Sequence, residues 1–119
     1  MRQNLSLKGE KPIVSRVPYT GDLKASVESS VSLIGGIKRF IEEGDTVLLK
    51  PNYNTAHPFP GSSDPQFIKT IIELLYEAGA KRVIVGERTA FLNSLEVLEK
   101  AGIIKTATQA GAEIVVFGS

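Results

Sequence analysis

The chain has 119 residues and a hydrophobic content of 42%, which suits one globular domain or part of one. Its 14 basic and 13 acidic residues give a net charge of only +1, so the charge balance offers no case for a nucleic-acid or membrane partner. The absence of cysteine excludes disulfides, zinc–thiolate sites and iron–sulfur clusters ligated within the chain.

The N-terminal third predicts a lead-in, one strand and two helices. Residues 1–11 are polar and are expected to form a flexible lead-in to a single domain over residues 12–119. The alternating residues Ile13–Val17 predict a first strand. Apolar residues then recur at helical spacing from Asp22 to about Leu33, and Asp22 can cap this helix. The pair Gly35-Gly36 ends it, and a second, short helix is expected before the next strand.

Three later segments share one plan, in which a glycine expected just after a helix is followed by a β-branched strand. These strands are predicted at residues 46–50, 82–86 and 112–116. The last two segments, AGAKRVIVGE and AGAEIVVFGS, are similar along their whole length. Such repetition is typical of successive βα units, so the three strands are expected to run parallel.

The helices between these strands carry capping residues at their starts. Asp64 suits the N-cap and Pro65 the first helical position, although Ser63 offers an alternative capping box. Asn93 can cap a further helix, and a last helical segment is expected over residues 103–110. The apolar face of the first of these helices comprises Phe67, Ile68, Ile71, Ile72, Leu75 and Ala78.

This pattern predicts an α/β fold with a three-layer, mostly parallel four-stranded sheet of Rossmann-like or flavodoxin-like type. The sequence stops at Phe117-Gly118-Ser119, directly after a strand. Because a parallel strand needs both faces covered, we expect a fragment of a larger domain, truncated at its C-terminus. The alternative is a small, complete flavodoxin-like sheet.

The strand at residues 46–50 ends in Lys-Pro-Asn and precedes a long polar loop. Open parallel sheets bind ligands outside the carboxyl ends of their strands. The Lys50 ammonium can neutralise a carboxylate or phosphate, while the amides of Asn52 and Asn54 fix its orientation. Turn chemistry around Pro51 is the alternative explanation of these residues.

Ser62 and Ser63 precede the helix at Asp64, where free N–H groups and the helix dipole suit an anion. Capping by Asp64 explains the same segment, and no glycine-rich phosphate-binding motif is present. His57 is the only histidine and can act as a base or metal ligand. It has no second histidine at metal-binding spacing, so no metal site is predicted within the chain.

Glu87 and Arg88 follow the strand at residues 82–86, and parallel strands place them at the same edge as Lys50. Glu87 could be a base, a metal ligand or the partner that orients Lys50, and Arg88 can clamp a carboxylate. The alternative is a surface Glu–Arg pair worth less than about 1 kcal/mol. If this edge is a site, the loops 51–63 and 86–92 face each other across one crevice.

The stretches GGIKRFIEEGDTVLLKPNYN and SDPQFIKTIIELLYEAGAKRVIVGE, separated by a proline-rich loop, resemble the domain of unknown function 362 family. The matching features are the Gly-Gly pair, the Gly-Asp turn, the VLLKPN strand end, the Ser-x-Pro helix start and the Gly-Ala turn into the next strand. The resemblance covers about residues 13–119. It implies a longer domain in which a Lys-x-His motif lies downstream, and a distant similarity to the N-terminal domain of nickel-pincer lactate racemases that carries no reaction with it.

Many members of that family are fused or paired with ferredoxin-type modules, so the resemblance implies an iron–sulfur cluster in another segment or in a partner. We therefore expect a domain that binds a small anionic or metal-chelating ligand within a larger redox enzyme. A non-catalytic module that docks an iron–sulfur domain is the alternative, and a purely architectural domain is a third. No stretch approaches the roughly 20 apolar residues that span a bilayer, so a cytoplasmic location is expected unless an export signal lies outside this sequence.

Overall fold

Strands from three distant segments form one parallel sheet in a computed structural model, which describes residues 4–118. In chain order the elements are β1 (Leu7–Lys8), β2 (Lys11–Pro12), α1 (Leu23–Ser32), a turn of 3-10 helix (Ile37–Arg39), β3 (Thr46–Leu49), α2 (Pro65–Glu77), β4 (Arg82–Glu87), α3 (Ser94–Lys100), α4 (Ile103–Gln109) and β5 (Glu113–Val116). The sheet order is β3-β4-β5, and both pairings are parallel. The predicted parallel arrangement of these strands is confirmed.

The prediction of a strand at Ile13–Val17 is wrong. Within residues 4–118 the parallel sheet therefore has three strands and not the four that the sequence predicts. The segment is extended, and Ile13, Ser15 and Val17 are half-buried as the alternation predicts. Its polar groups are used elsewhere, however. The Ile13 amide donates to the Ser6 carbonyl over 2.7 Å, and the Ser15 hydroxyl bonds to the Ser30 hydroxyl over 2.8 Å. The segment therefore packs beside α1 instead of joining the sheet.

The expected lead-in over residues 1–11 contains part of a small antiparallel hairpin, in which Leu7 pairs with Pro12 and Lys8 with Lys11. Residues 1–3 lie outside the described part of the chain. The short helix expected after Gly35-Gly36 is reduced to the 3-10 turn at Ile37–Arg39. Both glycines have positive φ, 107° and 84°, which explains why α1 cannot continue through them.

Two layers, not the expected three, make up residues 4–118. Val83 and Val85 of β4 are fully buried in the core that α2, α3 and α4 cover, whereas the neighbouring Arg82 is exposed and Ile84 half-buried. The strand order advances in one direction, and right-handed crossovers then place both connections on one face. The contact between α2 and α4 agrees with this arrangement. The other face of the sheet carries no helix from this part of the chain.

The predicted helix starts are confirmed. Asp22, Asp64 and Asn93 are the N-caps of α1, α2 and α3, and each side chain accepts a backbone N–H. Pro65 occupies the first turn of α2, as its missing N–H favours. On α2, Ile72 is 0% exposed, but Phe67 is 42% exposed although it belongs to the predicted apolar face.

Replacing Asp64 with alanine should lower the free energy of unfolding by about 1 kcal/mol, because the Gln66 amide loses its 2.9 Å bond to Asp64 Oδ1. Urea denaturation should show a lower midpoint with an unchanged slope. Asp64→Asn is the matched control, since asparagine caps about as well and should restore most of the loss. An unchanged midpoint in Asp64→Ala would contradict the capping role.

Candidate functional site

An ion pair joins the ends of β3 and β4. Lys50 Nζ lies 2.6 Å from Glu87 Oε1, and it also donates to the Pro51 carbonyl over 2.6 Å. The two side chains differ sharply in exposure, with 55% for Lys50 and 1% for Glu87. Lys50 and Glu87 thus lie in contact at one edge of the sheet, as the sequence predicts. Glu87 is buried, whereas the side chain of Lys50 is partly exposed.

Backbone amides hold the Glu87 carboxylate in place. Oε2 accepts the Tyr53 N–H over 2.8 Å, and Oε1 accepts the Arg88 N–H over 2.7 Å. Together with Lys50, these donors satisfy both oxygens, which a buried carboxylate requires. Glu87 follows Val83 and Val85 on the helix-covered face, so the buried row of β4 ends in a charge.

The loop after β3 is folded back on itself through residues Asn52 to Ser63. The Asn52 amide donates to Ser63 Oγ over 2.9 Å, and the Ser63 amide donates to the Asn52 carbonyl over 3.0 Å. The Tyr53 hydroxyl donates to the Ser63 carbonyl over 2.6 Å. These bonds bring the start of α2 next to the end of β3.

The two loops at this edge are in contact with each other. Tyr53 bonds to Glu87, as described above, and the Asn54 Oδ1 accepts the Ala90 N–H over 3.0 Å. Asn54 is therefore a connector between the loops 51–63 and 86–92, through its side-chain oxygen. Asn52, two residues after Lys50 in the sequence, is exposed.

The two serines occupy different environments. Ser62 is 4% exposed and its hydroxyl donates to the Thr55 carbonyl over 3.0 Å, which makes it part of the loop's own structure. Ser63 Oγ accepts the Asn52 amide and retains its own proton. His57 is exposed and bonds to Thr55 Oγ1 over 2.9 Å. Of the two serines, only Ser63 bonds directly to Asn52, close to the end of β3.

Arg88 is exposed, and its guanidinium lies against Gly118, where a Cβ would come within 2.6 Å of Nη1. The carboxylate of Glu87 pairs with Lys50 and not with Arg88. The surface Glu–Arg pair that the sequence offered as an alternative is therefore not formed. Next to it, on the uncovered face of the sheet, Phe117 and Leu48 meet over Gly86. These two side chains are 37% and 55% exposed.

Tyr53 is the residue that the sequence reasoning missed. It is 1% exposed and uses its amide for Glu87 and its hydroxyl for Ser63. The available signal was the period of two along β3, because burial continues through Pro51 and Tyr53 while Asn52 and Asn54 stay exposed. Extending the strand alternation past Lys50 would have predicted this order.

Burial, together with the nearby carboxylates of Asp64 and Glu87, raises the pKa of Tyr53 from 10.0 to about 12. Its contribution to stability should be complete below pH 10.0, where both states are protonated, and should be lost as pH rises towards about 12. In that window the unfolded chain releases the proton first, so the free energy of unfolding should fall by about 1.4 kcal/mol per pH unit from this group.

Urea denaturation across alkaline pH should show this extra slope in the natural protein and lose it in Tyr53→Phe. Because Tyr53→Phe also removes the bond to Ser63, its stability below pH 10.0 should be lower by about 1 kcal/mol. Tyr19→Phe, at a residue that is 69% exposed, is the control and should keep the slope. Identical slopes in all three proteins would contradict the shift.

The described residues contain no group of three or more His, Cys, Asp or Glu side chains placed to hold a metal ion. The chain also lacks thiolates, so its donor set does not fit an iron–sulfur cluster. No helix between residues 4 and 118 is long and apolar enough to cross a membrane. What this edge does present is a Lys50 side chain that is 55% exposed and paired with Glu87, followed in the chain by the bond between the Asn52 amide and the Ser63 hydroxyl.

A family model described as "Domain of unknown function (DUF362)" matches residues 47–119, which include the whole edge just described. A thylakoid-associated protein of Synechocystis sp. is 33% identical over 100 residues, which cover 82% of this chain and 30% of that protein. The chain thus spans less than a third of that relative's length. No solved structure shows a significant match.

Proposed function

The chain belongs to the DUF362 family, and from this premise we propose that it binds a small anionic ligand at the carboxyl ends of β3 and β4. Lys50 supplies the positive charge, and Asn52 and Ser63 supply orienting hydrogen-bond donors. A carboxylate or phosphate, including that of a metal-chelating molecule, is the group such donors recognise. The site would serve a larger redox enzyme whose other parts carry the iron–sulfur chemistry.

The observation that supports the proposal is the unequal burial of the Lys50–Glu87 pair, 55% against 1% exposed. A surface pair can separate at little cost, but Glu87 is fixed by two backbone amides as well. The position of the ammonium is therefore set by the Glu87 carboxylate and the Pro51 carbonyl, while the Lys50 side chain is 55% exposed. Such pre-organisation reduces the entropy that binding must overcome.

The neutral charge of the pair as a whole limits how strongly Lys50 alone attracts an anion. Arg88 supplies a second, exposed cation at the neighbouring strand end. Its planar guanidinium can bind a carboxylate through two parallel bonds. The proposal therefore assigns the charge recognition to Lys50 and Arg88, with Asn54 and Ser62 holding the loop in shape.

We infer further that the three strands are part of a Rossmann-like, doubly wound sheet. A doubly wound sheet consists of two halves, and the second half joins the first strand of the first half, which here is β3. The ligand lies at this junction, where the strand order reverses. Lys50 and Asn52 follow β3. In the proposed sheet they would lie near that point. The similarity to lactate racemases stays a prediction.

Titration with phosphate and with citrate, followed by NMR shifts of backbone amides, tests the anion site. Binding should shift amides around Lys50 and Arg88, and Lys50→Met should weaken it at least fivefold. His57→Ala is the control and should leave affinity unchanged, because His57 bonds within its own loop. Equal affinities in Lys50→Met and the natural protein would refute the proposal.

The uncovered face of the sheet supports the alternative, a scaffold module that docks an iron–sulfur partner domain. Leu48, Val115 and Phe117 are 55%, 39% and 37% exposed there, and parallel sheets normally have both faces covered. Under this alternative, Leu48→Glu should abolish binding of a ferredoxin-type domain while the citrate titration is unchanged.

The cytoplasm is the location that goes with this proposal. The Synechocystis relative is described as thylakoid-associated, which is a statement about that protein. Fractionation of cells that produce the natural full-length protein would separate a soluble from a membrane-bound pool.

A further inference from the structure

Three exposed aromatic side chains line a groove near the start of α2, and neither Lys50 nor Glu87 belongs to its lining. The groove has a volume of about 530 Å³. Tyr19, Phe59 and Phe67 are 69%, 69% and 42% exposed. The complete lining is Tyr19, Leu23, Phe59, Ser63, Asp64 and Phe67.

The aromatic residues come from three separate segments of the chain. Tyr19 belongs to the connection before α1, Phe59 to the loop 51–63 and Phe67 to the first turn of α2. Internal hydrogen bonds of that loop, such as Ser62 to the Thr55 carbonyl, hold its shape. Aromatic side chains from three separate segments thus line one groove.

The charge of the groove favours a cation. Asp64 is the one ionisable acid or base in the described lining, apart from the neutral phenol of Tyr19. Its Oδ1 accepts the Gln66 amide, which fixes the carboxylate at the helix start. Aromatic faces attract cations through their negative quadrupole, and a fixed carboxylate adds to that attraction.

A second apolar groove of about 360 Å³ shares part of this lining. It runs between residues 17–19, α1 and α2, and Tyr19, Leu23 and Phe67 belong to both grooves. Val27 and Ile71 extend its apolar surface. The site therefore offers room for an apolar body next to the place that suits a positive charge.

We propose that this chain binds a small organic cation, an alkylated ammonium with an apolar body, in the groove formed by Tyr19, Phe59, Phe67 and Asp64. The ammonium lies against the aromatic faces beside Asp64, and the apolar part extends along Leu23 between α1 and α2. This site uses none of the charges assigned to the anion site, and Ser63 is the one residue that belongs to both. The probes of the two sites carry opposite charges, so the two proposals are tested separately.

Choline and its neutral isostere 3,3-dimethylbutan-1-ol are the matched probes, because they differ mainly in the charge of the head group. In NMR titrations of the natural chain, choline should shift resonances of Tyr19, Phe59 and Phe67. The neutral isostere should bind at least fivefold more weakly. Hexyltrimethylammonium should bind at least fivefold more tightly than choline, since its tail occupies the second groove.

Three variants connect the binding to the residues. Asp64→Asn keeps a capping side chain and should weaken choline at least threefold while leaving the neutral isostere unaffected. Phe67→Ala should weaken both probes. Phe91→Ala, at a side chain that is 96% exposed on a different loop, should change neither.

Equal affinity for choline and the neutral isostere would overturn the proposal, as would a lack of binding by both. Unchanged choline affinity in Asp64→Asn would overturn it as well. Circular dichroism of each variant separates a lost site from a lost fold. The citrate titration of the anion site should be unaltered in Phe67→Ala, which keeps the two sites distinguishable.

Discussion

Replacing Glu87 with alanine should lower the free energy of unfolding by about 3–5 kcal/mol, the range expected when a buried charged network is broken. The carboxylate is 1% exposed, and its removal leaves the amides of Tyr53 and Arg88 without their acceptor. Each buried donor that is left unsatisfied costs about 1–3 kcal/mol. Urea denaturation of the two proteins measures the difference.

Lys50→Met is the informative comparison for that experiment. It removes the partly exposed member of the pair and leaves the buried Glu87 carboxylate with both backbone donors but no cation, so we expect a smaller loss of about 1–3 kcal/mol. If both substitutions destabilise the protein equally, Glu87 does not anchor the two loops. The comparison thus separates the structural role of Glu87 from the ligand-binding role proposed for Lys50.

The second large effect is expected in the core. Ile72→Ala should cost about 3 kcal/mol, because Ile72 is 0% exposed on α2 and its truncation leaves a cavity. Phe67→Ala on the same helix should cost less than about 1 kcal/mol, since Phe67 is 42% exposed. The midpoints of urea unfolding compare the two directly. A larger loss in Phe67→Ala would mean that the aromatic groove is part of the core.

Both of these residues belong to the apolar face that the sequence predicts, and this shows where sequence reasoning loses resolution. Helical spacing places Phe67 and Ile72 on one broad stripe, but only the packing of neighbouring elements decides which part of the stripe is covered. Strand positions and helix caps are predictable because they depend on local chemistry: β-branched runs, and Asp or Asn before a helix.

The segment Ile13–Val17 shows a different limit. Its alternation correctly predicts which side chains are half-buried, but a strand also requires a partner edge, which no local pattern specifies. The predicted number of layers is wrong for a related reason, because the order of the strands decides which face of the sheet the helices cover. At the site, topology predicts that Lys50 and Glu87 meet, whereas the part played by Tyr53 depends on two long-range hydrogen bonds.

The bond from the Tyr53 amide to Glu87 also has a consequence for how the protein opens. A loop of this length would ordinarily fluctuate independently of the sheet beside it. Here the Tyr53 amide can exchange with solvent only when its bond to the end of β4 breaks. We therefore expect opening of the loop to be coupled to opening of the end of β4, so that the Tyr53 amide is protected from exchange together with the sheet.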